Sequence, residues 1–297
     1  MNTAVRYFAK RNINLFFKDK GTFFASLITP IILFVLYISF LKNVYVQSIE
    51  SVIPKGITNI DDLINSFASS QLISSILAVS CVTVAFCSNI IMAQDKITGA
   101  RNDLLVTPIK PSQLALGYYL ANVATTMIVG FIAAAVGFVY IAIIGWYFSF
   151  TDVVLILLDV VLTVLFGTAA AALVDSFIST QGGIGAVSTI ISSLYGFLCG
   201  AYMPISQMGE SFRDFVMFIP GTYATGLFRN HYMNSVLSEF SKKLPDEAIT
   251  AIRDSFDMNM YFFDEKVSIP TMYLIVIISI VVLISAYVLV TKLRKEK

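Results

Sequence analysis

Six long apolar blocks, at 22–41, 71–93, 114–146, 152–174, 183–203 and 270–291, alternate with polar segments along the chain. Within each block the apolar residues run on continuously instead of recurring as one stripe. This pattern predicts helices that are apolar all round, not amphipathic helices lying on a soluble core. A helix needs about 20 mainly apolar residues to cross a bilayer, and each block is close to or above that length. A membrane barrel would instead show alternating strands of about 10 residues. The expected fold class is an all-α polytopic membrane protein, one transmembrane domain over 1–297 with six transmembrane helices. Pro30 lies inside the first block and predicts a kink there.

The polar segments add detail. In residues 1–21, Arg6, Lys10 and Lys18 share one helical face with Asn14, while Val5, Phe8, Leu15 and Phe16 gather on another. The segment is expected to form an interfacial helix with its basic face on anionic membrane lipids; the plainer alternative is a basic tail that only sets topology. Residues 204–233 hold apolar stretches of 10–14 residues punctuated by Pro204 and Pro220, too short to span. They predict an extracellular re-entrant hairpin before span six. Residues 234–268 are charged and partly amphipathic, and are expected to form a small helical cap.

Composition agrees with the pattern. The chain is 57% hydrophobic and 13% charged, with mean hydropathy +0.80, against about 25% charged in soluble domains. A net charge of +1 gives no electrostatic case for a nucleic-acid partner. With the N-terminus inside, 12 of the 20 Lys and Arg fall in cytoplasmic segments, and six of the other eight lie in the long 204–269 segment. Long loops translocate largely regardless of charge, so the short flanks decide the orientation. Both termini are therefore expected in the cytoplasm of a cell (plasma) membrane protein. The first apolar run lacks the cleavage site of a signal peptide and is expected to stay in the membrane.

One polar segment stands apart. Residues 94–111, QDKITGARNDLLVTPIKP, place a compact charged elbow between the second and third blocks. Thr98 is the expected N-cap of a short helix from Gly99 to Val106. Pro108 and Pro111 stop that helix, and Ser112 is the expected cap of the next. Leu104 and Leu105 give it an apolar side for the bilayer or a partner.

Candidate chemistry is sparse. Asp159 is an intramembrane carboxylate, which makes it a functional candidate by default; it also reads as an acid hydrogen-bonded within the bundle. Ser188, Ser192 and Gly196 belong to a small-residue face on span five that permits close helix approach, at a subunit seam, along a substrate path or in simple packing. His231 is the one histidine and has no ligand cluster around it, so no metal site is expected. Cys81, Cys87 and Cys199 have no metal-binding or disulfide spacing. The chain carries no G-x-x-x-x-G-K-[ST] phosphate loop, G-x-S-x-G, H-E-x-x-H or C-x-x-C, so no catalytic residue and no bound cofactor are expected.

The elbow also carries a resemblance. GARNDLLVTP resembles the G-T-L-E-x-L-L-x-T-P-like run found between spans two and three of ABC-2 type permeases, the membrane subunits of one class of ABC exporter. Gly99, Leu104, Leu105, Thr107 and Pro108 match that run, and Asp95 stands where an acid is common. Arg101 and Asn102 replace the usual Leu and Glu. FLCGAYMPISQM…FIPGTYATGLFRN is similar to the family's Pro-centred turn after span five, through Pro204, Pro220 and Arg229. The resemblance implies a permease paired with a second permease subunit, the same or a related chain, and worked by separate cytosolic ABC ATPase subunits that bind ATP and Mg. It makes 94–111 the coupling helix, with Asp95, Gly99, Arg101, Leu104, Leu105, Thr107 and Pro108 as ATPase-coupling residues. Asp175, Ser179 and Gln181 become a second cytoplasmic contact, and Pro204, Pro220 and Arg229 an extracellular gate. The implied cargo is hydrophobic or amphipathic. Two readings of another kind stand beside it: an ion-coupled secondary transporter using Asp159, and a non-transporting membrane scaffold.

Overall fold

The computed structural model describes residues 3–53 and 60–293. The basic residues Lys55, Arg294, Lys295 and Lys297 lie outside the described residues. Among the described residues the secondary structure is helical apart from one two-stranded ribbon, β1 (Met260–Phe262) paired antiparallel with β2 (Glu265–Val267) in the register Met260–Val267.

The axis of the fold is α4 (Asp61–Ile97), a helix of 37 residues. At 1.5 Å per residue it is about 55 Å long, against roughly 30 Å of hydrocarbon. It therefore continues well past a bilayer, and the expected second block of 71–93 is only its middle. Its neighbours are α2 (Lys20–Leu36), α6 (Pro111–Ile144), α7 (Phe150–Phe177), α8 (Gln181–Leu198) and α10 (Pro220–Phe240). Gly167 lets α7 close on it: a Cβ there would sit 3.0 Å from the Cys81 carbonyl and the Val82 Cα. Small residues at such a crossing let dispersion contacts form between backbones.

The outer helices turn apolar side chains outward. On α6 these include Ile132, Val136 and Ile143; on α12 (Ile269–Leu293), Leu274, Val281 and Leu289; on α2, Phe24, Ile31 and Val35. Water would not tolerate a continuous band of this kind, and hydrocarbon does. Four helices, α4, α6, α7 and α12, are each long and apolar enough to cross a membrane. A bent pair, α1 (Thr3–Lys18) with α2, makes a fifth candidate. The expected fifth block is the 18-residue α8, diluted by glycines, serines and Gln181. α2 has 17 residues and continues through a π-helical turn, Tyr37–Leu41, into α3 (Lys42–Val52). Pro30 lies within α2, where it can donate no backbone hydrogen bond, and the π-helical turn follows about two turns later.

α1 meets α2 at 71°. The corner is Asp19, whose carboxylate accepts from the Thr22 hydroxyl at 2.7 Å and the Thr22 amide at 3.2 Å. These bonds hold Asp19 below the usual carboxylate range. Arg6, Lys10 and Lys18 face outward as expected, and Val5, Phe8 and Phe16 are buried. Leu15 differs from expectation: it is exposed, and Asn12 takes the inward position.

The segment expected as a re-entrant hairpin is built from a turn, a short helix and a long one. After α8 come a tight turn with Gly200 at φ 72°, a 3-10 turn at Ile205–Gln207, and the short α9 (Glu210–Val216). Pro220 then starts the 21-residue α10, buried along most of its length against α4, α7 and α12. Pro at the first helical position lacks only an N–H that would have no helical partner. α11 (Asp246–Ser255) and the β ribbon follow, where a small helical cap was expected.

Candidate functional site

The elbow turns on Gly99. Its φ of +84° lies in the left-handed region, which favours glycine. Its carbonyl accepts from the Asn102 amide at 2.8 Å, opening α5 (Ala100–Leu105). Thr98 does not cap α5 as expected. Its hydroxyl donates back to the Gln94 carbonyl at 2.9 Å and closes α4, because the chain reverses one residue later. Ser112 is not a cap either, since α6 already begins at Pro111, and the Lys110 amide donates to Gln113 Oε1 at 3.1 Å.

α5 separates its two leucines. Leu104 packs inward against Phe8, Leu114 and Tyr118. Leu105 points outward beside Val106, which is 87% exposed, and Asn102, Asp103, Thr107 and Pro108 are also exposed. Thr107 donates to the Leu104 carbonyl at 2.6 Å, so the end of the helix is closed on itself.

Asp95 lies behind this surface. Arg11 of α1 donates to its carboxylate at 2.8 Å and 3.4 Å, and the Tyr118 hydroxyl of α6 donates at 2.7 Å. Phe8 packs edge-on against Tyr118 with ring centroids 4.7 Å apart, and the Arg11 guanidinium lies over Phe8. The bond to Asp95 raises Arg11 above its already high value. Asp95 thus spends its acceptors inside the chain, tying α1, α4 and α6 into one rigid base for α5. Arg11 and Tyr118 were not distinguishable in sequence from ordinary basic and aromatic residues.

Lys96 joins the elbow to the second polar turn. Its ammonium donates to the Ile178 carbonyl and, at 3.3 Å, to the Ser176 carbonyl. Asp175 is buried and accepts from Asn89 Nδ2 at 2.8 Å. Ser179 and Gln181 are exposed on the same side, and Thr180 caps α8 through the Gly183 amide at 3.1 Å. The exposed parts of the elbow and of the α7–α8 turn are therefore neighbours at one end of the molecule.

The opposite end holds two buried polar clusters. Arg229 is fully buried in mid-helix, donating to Asp257 at 2.6 Å and to the Gly200 carbonyl. Asp257 also accepts from the Ile205 and Ser206 amides. With its amide oxygen turned inward, Gln71 accepts from Arg229 as well. Pro204 precedes the Ile205 turn, and Pro220 stands at the head of α10. The second cluster is Asp159, which accepts from the His231 imidazole at 2.6 Å and the Tyr273 hydroxyl at 2.9 Å, linking α7, α10 and α12. His231, given no role from sequence, is thus a partner of the intramembrane acid. It lies in a stretch whose low hydropathy hid a buried helix. On α8, Gly196 is packed beneath the Tyr202 ring, the Ser192 carbonyl accepts from Thr29 at 3.3 Å, and Ser188 is half-buried.

Among the described residues no three His, Cys, Asp or Glu side chains converge as a metal site would require. The geometry is that of a rigid bundle with a presented surface: salt-bridged and hydrogen-bonded behind, apolar and exposed in front. Comparison with curated proteins found no match. A family model described as ABC-2 family transporter protein matches residues 42–287, from α3 into α12. By that match this multi-pass membrane chain, with its short exposed helix between α4 and α6, belongs to the ABC-2 transporter family as a permease membrane domain.

Proposed function

We propose that this chain is the permease subunit of an ATP-driven exporter, that a separate cytosolic ATPase works it through α5, and that it crosses the membrane six times, on α2, α4, α6, α7, α8 and α12. The observation that carries the reading is the two-sided build of α5. Its inner side is fixed by Leu104 and by the Arg11–Asp95–Tyr118 knot, and its outer side presents Leu105, Val106 and Asp103. A helix pushed by a motor needs such a base, or the push would be lost in local yielding.

On this reading both termini are cytoplasmic, and α1 lies in the headgroup layer, which the 71° corner at Asp19 suits. Ser179 and Gln181 make the smaller contact with the ATPase. Asp95, Lys96 and Asp175 serve as internal braces that transmit the displacement to α4 and α7. The Arg229–Asp257 pair clamps the extracellular hairpin of α9 and α10, which caps the exit. The open face of α8, where a Cβ on Gly182 or Gly185 would meet nothing within 4 Å among the described residues, is where a second permease would pack. The cargo is hydrophobic or amphipathic, in keeping with spans that carry almost no charge.

The test is affinity purification of the full chain from its native membrane. A soluble ATP-binding subunit is expected to co-purify. The double variant Leu105→Asp, Val106→Asp is expected to lose most of that subunit, since two desolvated apolar contacts become unpaired charges, while the variant still inserts. Undiminished co-purification would refute the role given to α5.

A further inference from the structure

Between α6 and α12, immediately behind α5, two cavities adjoin. The first, of about 420 Å³, mixes polar and apolar walls and is lined by Lys96, Arg101, Tyr118, Asp175, Tyr287 and Thr291, among others. The second, of about 530 Å³, shares Ala115, Tyr287 and Thr291 with it. It continues as a largely apolar groove past Leu116, Ile284 and Val288, with Lys292 at its rim. Both volumes fall in the range of ligand sites, roughly 300–1,000 Å³. A charged chamber opening into an apolar groove has the two-part form of an amphiphile.

We propose that this cleft binds an anionic phospholipid of the cytoplasmic leaflet, with its phosphate on Arg101, near the Lys96 ammonium that the Ile178 and Ser176 carbonyls hold, and an acyl chain along the groove. The charge balance selects the sign: three basic side chains and one carboxylate line the joined cavities. Among the described residues Arg101 makes no hydrogen bond or ion pair, although it is half-buried. None of its five N–H groups is taken by a protein acceptor among the described residues, and a phosphate can accept from them bidentately. The one carboxylate, Asp175, is fixed by Asn89 and suits a headgroup hydroxyl, as glycerol provides. The groove faces the band of Leu116 and Val288, which are open to hydrocarbon, so a chain enters sideways from the bilayer. The site touches the coupling surface twice. Arg101 belongs to α5, and Tyr118 holds Asp95. A bound lipid therefore fixes the resting position of α5.

The assignment of leaflet rests on the permease reading above, but the test does not need the ATPase. The full chain is purified in detergent and titrated with phosphatidylglycerol or phosphatidylcholine, and retained lipid is read by native mass spectrometry. Phosphatidylglycerol is expected to be retained in preference to phosphatidylcholine. Arg101→Gln should weaken phosphatidylglycerol about fivefold. Leu116→Trp, which fills the groove from a lipid-facing position, should weaken it comparably, and neither variant should change phosphatidylcholine. Equal retention of the two lipids by the natural chain would overturn the proposal. So would an Arg101→Gln effect without a Leu116→Trp effect, which would assign the cavity to free phosphate. Loss of the ATP-binding subunit from the natural chain, with lipid preference intact, would count against the permease reading alone.

Discussion

Arg229→Ala is expected to lower the stability of the chain by about 3–5 kcal/mol, the usual cost of stranding one partner of a buried ion pair. The guanidinium is fully buried and serves three segments at once: Asp257 after α11, the Gly200 turn after α8, and Gln71 of α4. Without it, Asp257 retains only the Ile205 and Ser206 amides. The Gly200 carbonyl, held in a left-handed turn, loses its donor. In detergent this should appear as a fall in Tm of roughly 10 °C by size-exclusion after heating. Arg229→Lys keeps the charge but not the forked geometry, so it should recover only part of the loss. Replacing both partners with apolar residues would not restore stability, because the two amides would then lack an acceptor. An unchanged Tm for Arg229→Ala would mean that the outer cap is held by its apolar contacts alone.

Asp159→Ala should be comparably destabilising, since it strands His231 and the Tyr273 hydroxyl between α7, α10 and α12. Asp159→Asn retains one acceptor oxygen and should cost about 1–2 kcal/mol. The functional outcome separates two mechanisms. In an ATP-driven permease Asp159 is part of the packing, and the Asn variant transports once folded. In an ion-coupled transporter the same variant keeps its Tm and loses gradient-driven uptake or efflux.

The long apolar blocks were readable because a bilayer requires length and hydropathy that nothing else in a chain imitates. α6, α7 and α12 fall almost where those blocks do. α4 exceeds its block because its first turns lower the hydropathy with exposed Asp61 and Asp62 while Leu63, Ile64 and Phe67 pack into the core. α10 itself escaped the pattern for the same reason: Arg229, Asn230 and His231 lower its hydropathy while lying inside the fold, each paired with a group far away in sequence. The elbow was legible from Pro108, Pro111 and the family-like run. Which leucine faces inward was not, because six residues of helix carry too little periodicity to orient a face. Asp95 was visible as an acid in the right place. Its partners, Arg11 at 84 residues' separation and Tyr118, follow only from the packing of α1 across α4 and α6.

The central claim is that α5 is the surface through which a cytosolic ATPase acts. Val106→Cys tests it directly, because Val106 is 87% exposed while the three native cysteines are buried. The measurement is short-range crosslinking from that thiol in native membranes, with accessibility to a membrane-impermeant maleimide. The account predicts labelling in inside-out vesicles but not in intact cells, and a crosslink to an ATP-binding subunit. Labelling from outside intact cells, or crosslinks that never include an ATP-binding subunit, would contradict it.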